Sequence, residues 1–236
     1  MDFFRFSRCV DYFPQIIKYL PVTLKVAAVS TLFGLLLGMV LAVIRIYRVP
    51  VLEQIATIFT SFLRATPPNV LLLAIFFAIP FFFRNICLTL FHFDINRMDL
   101  FNYVAVAYSV MNSAFFAELI RAAVLGVEKG QTEAAYSIGM NKRQTFVRII
   151  LPQAFHIALP ELGNIVVNIL KNTSLAYLVG IIDLMGAVNI ASINTFHPLE
   201  GYVDVAVIYT QAAPRGPHRC DRSADEGEKP ALRDGF

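Results

Sequence analysis

The chain has little cysteine, little net charge and no phosphate-cradling glycine loop, and each shortage removes a class of function. Cys9, Cys87 and Cys220 are odd in number, far apart and in no C-x-x-C pair, which argues against a disulfide framework or a zinc site. His92, His156, His197 and His218 likewise show no metal-ligand spacing, so no metal is expected. The formal net charge is only +3, and the Lys and Arg residues sit in short clusters between apolar stretches, which leaves nucleic-acid binding with little support. No G-x-x-x-x-G-K-[ST] segment occurs, so the chain carries no P-loop for ATP chemistry. Residues 1–20 are interrupted by Asp2, Arg5, Arg8, Asp11 and Lys18, and no cleaved leader is expected from them.

What the chain has in excess is apolar surface. Hydrophobic residues make up 57% of it, more than a soluble fold of 236 residues would bury, and this places it in the membrane class. A spanning helix needs about 20 mostly apolar residues, because the hydrocarbon core is about 30 Å thick and a helix rises about 1.5 Å per residue. Five stretches approach that length: 22–44, 51–83, 101–125, 149–170 and one starting near 202. The second is interrupted by Arg64, Pro67 and Pro68. The expected fold is therefore all-α, a polytopic transmembrane helical bundle of about five spans.

Basic clusters beside the spans set the orientation. Arg45 and Arg48 follow the first span, and Lys129, Lys142, Arg143 and Arg148 lie between the third and fourth. Cytoplasmic flanks are enriched in such residues. Both clusters fall on one side, which puts residues 1–21 outside and the 126–152 loop in the cytoplasm. The contrast is modest, since Arg5, Arg8, Lys18, Arg84 and Arg97 lie on the other side, partly offset by Asp2, Asp11, Asp94 and Asp99.

The end of the chain reads differently. From Gln211 it carries ten charged residues and three prolines with almost no large apolar side chain, so the 210–236 tail is expected to be disordered. The preceding apolar run, 202–213, contains Asp204 and is short of a crossing. The fifth span is expected to be truncated, either by a replaced reading frame or fused terminus, or as a short natural helix with a soluble tail.

Between spans three and four stands EAAYSIGMNKRQTFVRIILPQA, with Glu133, Ala134, Ala135, Gly139, Ile149, Leu151 and Pro152 at the offsets E-A-A-x3-G-x9-I-x-L-P. Read physically, Gln131 or Thr132 can start a short helix, the small Ala134 and Ala135 allow close approach, and Gly139 can end the helix and turn the chain. Asn141, Lys142 and Arg143 offer polar contacts beyond it, and Pro152 falls near the beginning of span four, where a missing N–H costs little. The seven positions match the EAA loop of bacterial ABC importer permeases.

The likeness runs over roughly residues 10–209. Arg64-Ala65-Thr66-Pro67-Pro68 resembles the R-G-T-P segment of polar amino acid permeases, with Ala65 in place of the usual glycine. Asn112-Ser113-Ala114, Ala117-Glu118, Arg121 and Lys129-Gly130-Gln131 resemble the span-three signature; Leu162-Gly163-Asn164 and Leu170 through Leu175 resemble span four, with Asn172 where aspartate is common. Pro68-Asn69 departs from a usually apolar pair. The chain thus resembles the histidine/glutamine type of permease subunit. That resemblance implies the type I importer fold, with a permease domain over 22–209, in the bacterial cytoplasmic membrane. It also implies a second permease copy, identical or homologous, two ABC ATPase subunits docked on the loop, and an extracytoplasmic amino acid-binding protein. The chain itself would be no enzyme and would hold no cofactor, ATP and Mg being bound by the partner subunit.

Polar residues inside the spans are the candidates for the substrate path. Arg64 lies deep in an apolar region and needs a partner or water, unless the span starts only at Pro67. Thr66 is its neighbour. Glu118 and Arg121 are three apart and share a helical face, which suits an ion pair. Asn164, Asn168 and Asn172 recur every four residues and form one stripe, lining the path or bonding between helices at the subunit interface. Two other readings stay open: an ATPase-independent secondary transporter, and a permease made inactive by its altered C-terminus.

Overall fold

In the computed structural model, residues 4–92, 94–193 and 195–212 are described. Cys220, His218 and the tail from 213 onward lie outside them. Ten α-helices follow one another among the described residues: α1 Phe6–Ile17, α2 Leu20–Ile46, α3 Leu52–Ala65, α4 Pro68–Phe91, α5 Leu100–Leu125, α6 Lys129–Ser137, α7 Lys142–Thr145, α8 Leu151–Asn172, α9 Leu184–Ser192 and α10 Pro198–Ala212. A π turn over Phe146–Ile150 joins α7 to α8, and a 3₁₀ stretch, Thr173–Val179, follows α8. Four segments are long and apolar enough to cross a membrane: Leu20–Ile46, Pro68–Leu90, Leu100–Leu125 and the continuous run Lys142–Val179. At 15 described residues, α10 rises only about 22 Å, short of a hydrocarbon core.

The bundle is organised on α2 and α5. Ser30, Gly34, Gly38 and Ala42 stand every fourth residue on α2 and are all buried. This stripe of small side chains lets the two backbones approach closely, which is how helices associate where lipid removes the hydrophobic driving force. At Gly38 the approach is tightest: a Cβ there would lie 2.6 Å from the Phe116 Cβ and 2.8 Å from the Ser113 carbonyl oxygen. Even alanine would have to push α5 away.

The stretch 51–83 divides into two helices. Thr66, followed by Pro67, is held in an extended conformation (φ −86°, ψ 136°), because a proline ring disfavours helical geometry in the residue before it. Pro68 then opens α4, where its missing N–H costs nothing. Leu63 of α3 and Leu71 and Leu72 of α4 join one core with Val104, Ala107, Tyr108, Met111 and Ala114 of α5. On the outer surfaces large apolar side chains stand exposed, including Val40, Ile58, Phe77 and Phe81, which is lipid-facing chemistry.

The first helix shows the 3–4 spacing of a one-sided surface helix, burying Cys9, Tyr12 and Ile16. Tyr12 and Ile16 pack with Leu184 and Val188 of α9 and Val205 and Ile208 of α10. The buried Glu200 carboxylate accepts a hydrogen bond from the Arg5 backbone N–H (3.1 Å) and lies 3.8 Å from Arg8 Nη1.

Candidate functional site

The loop between α5 and α8 is a short knob on an apolar base. Ala123 and Val127 at the end of α5 and Ala154 on α8 form that base, with Ile150 beside them. Gln153 Nε2 donates to Gln131 Oε1 (3.3 Å), tying the knob to α8. The helix starts at Lys129 rather than at Gln131 or Thr132, with Glu128 before it. It ends as expected: Gly139 adopts φ +82°, its N–H donates to the Tyr136 carbonyl (2.9 Å), and the Met140 N–H donates to the Ala135 carbonyl (3.1 Å). That pair of bonds is a Schellman cap, which needs a left-handed residue and so favours glycine.

Of the motif residues, Ala135 is buried, while Glu133, Ala134 and Gly139 face solvent. Nothing lies within 4 Å of where a Gly139 side chain would start, so its role is backbone shape, not close packing. Tyr136, Ile138 and Val147 add exposed apolar side chains to the same knob. They fall in the motif's variable positions, so its letters did not flag them. Exposed apolar residues on a polar loop mark an interaction surface.

Asn141, exposed on the knob, also starts the next helix. Its Oδ1 accepts from the Gln144 N–H (2.9 Å) and the Gln144 Oε1 accepts from the Asn141 N–H (3.0 Å), a reciprocal capping box that starts α7. The π turn then carries Ile149 into α8, where Leu151 is half-exposed and donates its N–H to the Phe146 carbonyl. Pro152 follows at once. A proline removes one backbone donor and its ring crowds the carbonyl four residues back, and the widened turn makes room for it without ending the helix.

A second group of residues meets between α2, α3 and α5. Glu118 is the hub. Arg45 of α2 donates to its Oε1 through a short Nη1 contact, Arg121 Nε and Nη2 donate to its Oε2 at 3.2 and 3.1 Å, and Arg64 Nη1 lies 3.7 Å from Oε1. The expected Glu118–Arg121 pair is present, and Arg64, half-exposed near the end of α3, joins it; the candidate span begins only at Pro68, after Arg64. In the sequence Arg45 marks only orientation. Its 73-residue separation from Glu118 hides the pairing from any local pattern.

Beside this hub opens a cavity of about 390 Å³, lined by Arg64, Phe115, Glu118, Ile157, Glu161 and Ile165 among others. Glu161 was not singled out in the sequence, although its three-residue spacing from Asn164 suits a helical pair. Asn164 Nδ2 donates to Glu161 Oε2 at 3.0 Å. The remaining candidates lie apart from the cavity. Thr66 donates its hydroxyl to the Phe62 carbonyl of its own helix (2.9 Å), Asn168 is exposed, and Asn172 accepts from the Tyr108 hydroxyl through its backbone carbonyl (2.6 Å). The stripe thus runs up α8 from the cavity on a face left largely uncovered by this chain.

Comparison with known proteins identifies the family. The model of the family described as "Binding-protein-dependent transport system inner membrane component" matches residues 34–210. The L-cystine transport system permease protein TcyL of Bacillus subtilis (strain 168) is 43% identical over 204 residues, covering 86% of this chain and 83% of that protein. The probable amino-acid ABC transporter permease protein PatM of Vibrio harveyi is 34% identical over 87% of this chain and 88% of its own length. Among solved structures, an amino acid ABC transporter with histidines superimposes with a TM-score of 0.75 at 30% identity, covering 88% of this chain and 92% of that one. The chain belongs to the family of inner membrane components of binding-protein-dependent transport systems and is a membrane-embedded permease subunit of an ABC importer.

Proposed function

We propose that this permease carries a polar amino acid, and that the cavity between α3, α5 and α8 is where it passes. The carrying observation is that one space of about 390 Å³ holds both signs of charge in an otherwise apolar setting: Arg64 on one side, Glu118 and Glu161 on others. A zwitterion losing its water shell needs both. Arg64 can hold a carboxylate by two parallel N–H donors, and Glu161 can accept from an ammonium group. The relatives named for L-cystine and for amino acids support the same substrate class.

The uncovered face of α8 supports a second permease copy, identical or homologous. Asn164 and Asn168 are exposed there, and nothing lies within 4 Å of where a Gly163 side chain would start. Such a polar face is poorly matched to lipid and well matched to another helix. The knob at 133–152 would dock an ATPase subunit on each permease, ATP and Mg being held by that subunit, with an extracytoplasmic binding protein delivering the ligand. Rocking of the two halves about the central site would then alternate access. In this reading the chain lies in the bacterial cytoplasmic membrane with the 126–152 loop inside and residues 1–21 outside.

Liposomes containing this permease with its ATPase and binding protein test the substrate class. With L-cystine, L-glutamine, L-histidine and maltose as labelled substrates, at least one amino acid is expected to accumulate in an ATP-dependent manner and maltose is not. Arg64→Gln and Glu161→Gln are each expected to lower that uptake by at least about tenfold, the factor for about 1.4 kcal/mol of lost binding. Uptake of maltose alone would refute the substrate class, and uptake unchanged in both variants would refute the cavity.

A further inference from the structure

We propose that α1 is an interfacial helix lying along the bilayer boundary where α2 begins, with Phe6, Val10 and Phe13 seated between lipid headgroups and acyl chains, and that it holds the start of α10 at that depth. With 12 residues α1 rises only about 18 Å, too little to cross. Lys18 and Tyr19 alone separate it from the candidate span that starts at Leu20, and the Tyr19 N–H closes a tight turn onto the Ile16 carbonyl (3.0 Å). Ile17 therefore lies within about 11 Å of the span, the reach of three peptide units.

Around the helix axis, at about 100° per residue, the side chains divide into three sectors. Cys9, Tyr12 and Ile16 are buried, the last two against α9 and α10. Phe6, Val10 and Phe13 form a second sector, 75%, 60% and 39% exposed. Ser7, Asp11 and Gln15, also exposed, form a polar third sector about 130° round from the second. A helix with its outer side so divided lies in the plane of a bilayer surface, its apolar sector sunk about 5–10 Å. The occupant is lipid because the short link to α2 keeps α1 at the boundary, where the polar sector faces water only while the stripe faces acyl chains. Contacts to α10 fix the helix's rotation: the Arg5 N–H donates to the Glu200 carboxylate (3.1 Å), the Cys9 thiol donates to the Glu200 carbonyl (3.8 Å), and the Tyr12 hydroxyl pairs with that of Thr195. Glu200 is the third residue of α10, so the first turn of that short helix is held at the depth of α1.

The chain has no tryptophan, so one introduced indole reports from one place. Phe6→Trp, Phe13→Trp and Gln15→Trp, each in the purified full-length chain reconstituted in phosphatidylcholine vesicles, are read by fluorescence with lipids brominated at a shallow or a deep acyl carbon. All three positions are exposed, so packing against α9 and α10 is kept. Phe6→Trp and Phe13→Trp are expected to be quenched at least about twofold more by shallow than by deep bromine, as a depth of about 5–10 Å requires. Gln15→Trp is expected to be quenched weakly by both and most strongly by acrylamide in the water. Stronger quenching of the stripe by deep bromine, or equal lipid quenching at Phe6→Trp and Gln15→Trp, would overturn the interfacial helix. So would stripe indoles open to acrylamide and untouched by lipid bromine, the pattern of a face kept for a protein partner. None of these readouts involves uptake, so failure here leaves the import reading standing.

Discussion

A Gly139→Val chain is expected to fold, insert and melt much as the unaltered protein does, and to lose its ATPase. The reason lies in the backbone. Gly139 sits at φ +82°, where a β-branched side chain is a genuine outlier, and left-handed geometry costs about 1–2 kcal/mol for a residue with a Cβ. Relief comes by abandoning the Schellman cap, and with it the bonds from Gly139 and Met140 back to Tyr136 and Ala135. The end of α6 then points Ile138 and the following turn elsewhere. Because open space surrounds Gly139, nothing in the bundle core is disturbed. Co-purification should therefore show at least about a tenfold drop in ATPase retained per permease, the ratio for about 1.4 kcal/mol of binding, with thermal unfolding of the permease close to that of the parent.

Glu118→Gln should show the opposite pattern, a loss within the bundle itself. The change leaves Arg45, only 10% exposed, with no carboxylate, and removes the charge shared by Arg121 and Arg64. Removing one partner of a fully buried ion pair costs about 3–5 kcal/mol. Here the carboxylate is 20% exposed and two of its partners are more so, which lowers the expected cost to about 2–3 kcal/mol. Arg121→Gln should be much milder, because Glu118 then keeps Arg45. The double change Glu118→Gln with Arg45→Gln should cost clearly less than the two single changes added together, since the stranded charge is gone. Thermal unfolding of the purified variants checks all three, and strict additivity would mean that Glu118 and Arg45 act independently.

How much of this was legible before the structure differs by the range of the interaction. The first, third and fourth spans followed from apolar length alone, whereas the second begins only at Pro68 and α10 is too short to count; the knob followed from the fixed offsets between Glu133 and Pro152, because these are local properties of the chain. The break at Thr66 was marked by the proline pair, whose steric rule is equally local, yet the sequence left open whether Arg64 was buried or interfacial. That depended on α3 packing against α5. The Arg45–Glu118 contact was hidden because it joins helices far apart in sequence, and a terminal arginine reads the same whether it faces water or a carboxylate. The stripe from Ser30 to Ala42 is visible once α2 is known to need a close neighbour, but small residues in an apolar run draw no attention by themselves. On α8, the asparagine period was correct as a stripe. Only Asn164 connects to the cavity, through Glu161 of its lining, because a 22-residue helix is far longer than the space at its foot.

Coupling to the ATPase requires that the exposed face of the 133–152 knob is the surface that meets it. Alkylation of Ala134→Cys in a chain with its other cysteines replaced, measured with and without the ATPase present, tests that contact directly. Rapid labelling of the permease alone and at least about tenfold slower labelling in the complex are expected, while a cysteine at the exposed Arg97, in the turn before α5, labels equally in both. Labelling of Ala134→Cys at the same rate in the intact complex would contradict it.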